Sequence, residues 1–93
     1  MSDAFQQVEL LDLEIESILS FFIGVVSTKS LQYLGVSVKQ GEEKEKDLDK
    51  ARLAIDATSI MVDKLEPFID QEEHSQLKQV VSNLQFAYLR ESS

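Results

Sequence analysis

With 93 residues, seventeen acids against nine bases and a formal charge of −8, the chain is long enough for one folded domain and carries the wrong sign for phosphate-rich partners. Nucleic acid is excluded as a partner on that balance, and an anionic membrane surface is disfavoured for the same reason. There is no cysteine, so disulfides, thiolate nucleophiles and cysteine metal sites are excluded together.

The first predicted element is a long helix over about residues 8–34. It contains the most apolar stretch of the chain, SILSFFIGVVST at 17–28. Acids precede that stretch (Asp3, Glu9, Asp12, Glu14 and Glu16) where an export signal would carry bases, so no export signal is expected. Ser17 and Ser20 interrupt the run, and Lys29 and Gln32 follow it, so it is too short to span a bilayer. The expected location is the cytoplasm. At 100° per residue, Val8, Leu11, Ile15, Ile18, Leu19, Phe21, Phe22, Ile23, Val25, Val26, Tyr33 and Leu34 spread over an arc of roughly 220°, about twice the stripe that a surface helix needs. Beside that arc, Leu10, Leu13, Ser17, Ser20, Gly24, Ser27, Leu31 and Leu34 alternate three and four spacings, a seam with small residues at its centre. A larger residue at Gly24 is expected to overfill a close helix contact. Gly35 can supply the left-handed geometry that ends the helix.

A charged connector, 38–47, reads as a mobile polar loop. The second helix is predicted over 47–65, with Leu48, Ala51, Ile55, Thr58, Val62 and Leu65 at heptad spacing. Leu53, Ala57, Ile60 and Met61 widen its apolar surface, and Asp49, Arg52, Asp56, Ser59 and Asp63 form a narrow wet face. Pro67 is expected to stop it by disfavouring helical geometry at Glu66. Asp70 and Glu73 have capping-box spacing for a third helix over 71–90. Its stripe is Leu77, Val80, Val81, Leu84, Ala87 and Tyr88, which leaves Phe86 and Leu89 as surplus.

The expected fold is therefore an all-α three-helix bundle, a single domain over 1–93, completed by homo-oligomerisation. Three helices in one subunit can hide about one stripe each, yet two of these are apolar around most of their circumference. Large exposed apolar patches mark partner surfaces, and a second copy of the same chain is the commonest partner. The expected oligomer interface comprises Ser20, Phe21, Ile23, Gly24, Ser27, Leu31, Leu53, Ile60 and Phe86. Arg52 and Asp56, one turn apart, are expected to serve as a polar pair that reaches between helices.

No residue set reads as catalytic, metal-binding or cofactor-binding. His74 stands beside Glu72 and Glu73, but consecutive helical residues point in different directions and cannot converge on one ion. It reads as a surface residue of the first helical turn. Gly24, Gly35 and Gly41 are too far apart for a phosphate loop. Tyr33 and Tyr88 read as seam-edge residues with wet hydroxyls. The function expected from the residues is a non-enzymatic interaction or scaffold module without cofactor. The alternative is a factor that binds lipid, an acyl chain or a membrane surface through the aromatic arc.

The blocks FFIGVVSTKSLQYLGV at 21–36 and DLDKARLAIDATSIMVDKLEPFIDQEEHSQLKQVVSNLQFAYLR at 47–90 resemble the small bacterial family known as domain of unknown function 1844. The features that carry the likeness are Leu34 and Gly35 at a helix end, then Asp47 with Leu48, Ala51 with Arg52, and Ile55 with Asp56. Glu72 and Glu73, Leu77, Leu84 and Tyr88 complete them. The family's Lys-Thr-Lys-Gly-Asn-like turn is replaced here by KLEPF at 64–68, and Gln85 stands where an arginine is common. The resemblance implies a helical fold and no known activity.

Overall fold

A computed structural model describes residues 9–36 and 46–93. Helix α1 is Ile15–Tyr33, α2 is Leu48–Leu65 and α3 is Gln71–Ser92, with a 3-10 turn over Glu66–Phe68. No strand occurs among the described residues. The predicted all-α bundle is what the chain forms, with α1 packed most extensively on α2 and α2 on α3. The predicted start of the first helix at residue 8 and most of the 38–47 connector lie outside the described residues. Within them, the helical turn at 9–11 is separated from α1 by a break at 12–14, where the amides of Asp12 and Leu13 donate to the carbonyls of Glu9 and Leu10.

The helix ends follow local chemistry. α1 closes with the Val36 amide donating to the Leu31 carbonyl and the Gly35 amide to the Gln32 carbonyl, a Schellman pair that needs Gly35 at φ 88°. The Asp47 amide then donates to the Tyr33 carbonyl at 2.8 Å, which ties the start of α2 to the end of α1. Asp47 caps α2 by accepting from the Lys50 amide, and Asp70 caps α3 by accepting from the Glu73 amide at 2.7 Å. At the other end of α2, Glu66 keeps right-handed helical angles directly before Pro67, against the sequence expectation. The proline sits early in the 3-10 turn, where its missing N–H and fixed φ are tolerated.

The core has two parts. Leu34, Ala51, Ile55, Leu84 and Ala87 form one, with Leu31, Leu48 and Tyr88 packed against it. Ile23, Val62, Leu65 and Val81 form the other, flanked by Leu19, Met61, Ile69 and Leu77. The predicted α2 seam is the common wall: Ala51, Ile55, Thr58, Val62 and Leu65 are all buried. The buried hydroxyls of α2 and α1 are satisfied within their own helices, Thr58 donating to the Ala54 carbonyl at 2.8 Å and Ser30 to the Val26 carbonyl at 2.9 Å.

A Cβ at position 35 would stand 2.9 Å from Lys46 Cγ, in a backbone region that costs an L-residue about 1 to 2 kcal/mol. Gly35→Ala is therefore expected to lower stability by at least about 1 kcal/mol in urea denaturation. An unchanged midpoint would show that the α1–α2 junction relaxes freely.

Candidate functional site

Large apolar side chains left in solvent on α1 and α2 make the principal surface feature. Counting along α1, Ile15, Ile18, Phe22, Val25, Lys29 and Gln32 follow alternating spacings of three and four, the rhythm of a helix-pairing seam. Ile15, Phe22 and Val25 are exposed and Ile18 is half-buried. Phe21, 51% exposed, stands beside this seam with its ring edge-on to that of Phe22 at 5.6 Å. The core-facing residues Leu19, Ile23 and Ser30, with Leu34 at the helix end, lie about 120° around the helix from this seam.

α2 has a matching stripe. Lys50, Leu53, Ala57 and Ile60 repeat the same spacing, with Leu53 69% and Ile60 59% exposed. The two stripes meet at one end, where Lys29 from α1 and Lys50 from α2 both lie over the Tyr33 ring, at 5.3 and 5.9 Å from its centre. Tyr33, half-buried as expected of a seam edge, thus has two ammonium groups over its ring. Beside the seam, Ser20, Phe21, Gly24, Val25, Thr28 and Lys29 line a shallow groove of about 690 Å³.

The sequence-predicted interface residues fall into separate groups. Phe21, Gly24, Leu53 and Ile60 are exposed on α1 and α2, Phe86 is exposed on α3, and Ser20 is half-buried in the groove wall. Ile23 corrects the expectation: it is 2% exposed and packs in the subunit's own core with Val62, Leu65 and Val81, so it is unavailable to a second chain. Leu31 is half-buried against the other core cluster. Ser27 is half-buried and donates to the Ile23 carbonyl. Within the subunit the small-residue seam is therefore an open flank of α1 that none of its own helices packs against at Gly24, where a Cβ would meet nothing within 4 Å. The outer seam itself was visible as part of the apolar arc, but sequence alone does not say which of several stripes the core selects.

Arg52 and Asp56 form an ion pair at 3.9 Å within α2, both largely exposed, rather than a pair between helices. They stand on the flank away from Lys50, over a crevice of about 420 Å³ shared with Ile55, Gln85, Tyr88 and Leu89. Lys46 pairs with Glu91, and that contact, with Arg90 adding to it, holds the Glu91 carboxyl below its ordinary range despite a smaller opposing effect of burial. This bridge fastens the end of α3 beside the α1–α2 junction. A depressed carboxylate contributes its stability above its unfolded pKa and loses it as pH falls through the lower folded value.

His74 also departs from expectation. It is 8% exposed, and its Nε2 has no hydrogen-bond partner among the described residues. Its neighbours in sequence, Ile69 and Leu77, pack on the core, which draws the first turn of α3 inward. No group of three metal-capable side chains occurs among the described residues, and no described helix is long and apolar enough to cross a membrane.

Fold and surface together define a small helical bundle with an uncovered apolar face. The chain belongs to the family described as "Domain of unknown function (DUF1844)", whose model matches residues 16–90. The match takes in α1 from its second residue, all of α2 and most of α3. No curated protein and no solved structure matches the chain.

With open space around position 24, adding a methyl group removes glycine's backbone entropy cost without a clash. Gly24→Ala is expected to stabilise the isolated subunit by about 0.5 to 1 kcal/mol, read by urea denaturation at submicromolar concentration. A loss of stability would reveal a backbone packed against that site.

Proposed function

We propose that this is a non-enzymatic cytoplasmic interaction or scaffold module that forms a homo-oligomer by burying the exposed faces of α1 and α2 between chains. The observation that carries the reading is the placement of Phe21, Phe22, Val25, Leu53 and Ile60 in solvent on adjoining stripes of two packed helices. Scattered apolar residues need no explanation, but five large ones exposed on two packed helices point to a partner surface. Burying it returns about 25 cal/mol for each Å² of apolar area removed from water. A second copy is favoured over a lipid surface because the chain is acidic and the bases of the patch, Lys29 and Lys50, stand at one end of it rather than along the rim that draws helices to anionic membranes.

Sedimentation equilibrium at low micromolar concentration is expected to give a dimer or larger species. A monomer with a fully helical circular-dichroism spectrum would overturn the proposal. In that event, co-flotation with neutral liposomes would point to the lipid-binding alternative.

A further inference from the structure

Resting on the self-association just proposed, we infer that two copies pair through the outer seam of α1 in antiparallel orientation, crossing at Phe22, with Lys29 of each copy facing the acidic entrance to α1 of the other. The direction follows from charge. The turn leading into α1 carries Asp12 and Glu14, both exposed, and no base among residues 9–28. The far end of the seam carries Lys29, with Lys50 beside it over Tyr33. The ion pairs among the described residues join Lys46 to Glu91, Arg52 to Asp56 and Arg90 to Glu91, so neither seam lysine is engaged by an acid there. Parallel pairing would stack acid on acid and lysine on lysine. Antiparallel pairing brings the two opposite ends together twice.

The register follows from spacing. Phe22 lies midway along the seam between Ile15 and Lys29. With a two-fold axis at Phe22, each Lys29 lies about 10 Å along the helix from the crossing, level with the partner copy's helix start. That start is where Glu14 stands as the residue preceding the first turn. The aromatic pair of each copy then sits at the centre of the contact, offering the part of each ring that the subunit leaves exposed, 51% for Phe21 and 40% for Phe22. The neighbouring α2 stripe, with Leu53 and Ile60, widens the contact toward the roughly 800 Å² per partner of a stable interface. The seam supplies the buried area and the charged ends choose the direction.

Charge reversal tests the direction, read as the dimer Kd by sedimentation. Lys29→Glu and Glu14→Lys are each expected to raise Kd on the order of tenfold, by replacing two attractions with two repulsions. The double variant Lys29→Glu/Glu14→Lys restores a Kd near the original in an antiparallel pair, whereas a parallel pair would keep like charges facing in the double variant. Because the chain has no cysteine, Phe22→Cys adds an independent reporter, expected to give a disulfide-linked dimer under mild oxidation. A wild-type monomer would sink the association itself. A wild-type dimer that ignores both single reversals, or a Phe22→Cys variant that stays uncrosslinked, would overturn this geometry alone. Circular dichroism on each variant separates lost pairing from lost folding.

Discussion

The inward face of α1 can be covered only once, and α2 covers it. α2 gives six residues to the interior, while α1, which contains the most apolar stretch of the chain, buries only Ile23 and Ser30 along its length. Its apolar arc extends well beyond the face that α2 covers, and the described residues leave the remainder, with Phe21, Phe22 and Val25, in solvent. The consequence is an excess of apolar surface on the helix that is least buried. For a small domain, which hides only about 60% of its unfolded surface in any case, such an excess is hard to absorb internally.

What positions that surface is the junction at Gly35. The Schellman pair ends α1, and the bond from the Asp47 amide to the Tyr33 carbonyl sets α2 beside it, with Asp47 itself capping the new helix. Because both helices are fixed at the same point, Tyr33 sits between Lys29 and Lys50, and the two outer stripes meet there. The Lys46–Glu91 bridge adds α3 to the same corner. Local turn chemistry therefore decides the arrangement of the exposed face as much as core packing does.

α2 was legible almost residue by residue because it has one strong cap, one seam and one charged face, so local signals and packing agree. α3 was legible in extent for the same reason, through the Asp70 cap. α1 was less so. Several of its stripes share the three-and-four rhythm, and the choice among them is made by α2, which a linear pattern does not contain. Hence Ile23, counted among the outward residues, proved to be core, while Ile15, Ile18, Phe22 and Val25 form the free seam. His74 was missed for a related reason: a polar residue in a first turn reads as wet, yet Pro67 and the 3-10 turn bring the start of α3 onto the lower core, where Ile69 and Leu77 pack.

An acidic chain that associates with itself must overcome its own charge. At −8 per copy, two subunits repel at long range, and that repulsion is screened over about 10 Å at 0.1 M salt. Exposed pairs of the Lys29–Glu14 kind are worth only about 0.2 to 1 kcal/mol each, too little to hold two such subunits together. The affinity has to come from apolar burial along α1 and α2, with the charges at the seam ends discriminating between the two directions in which that burial could occur. Salt then has opposing effects, weakening the selective pairs while relieving the net repulsion. The hydrophobic seam is the component that survives both.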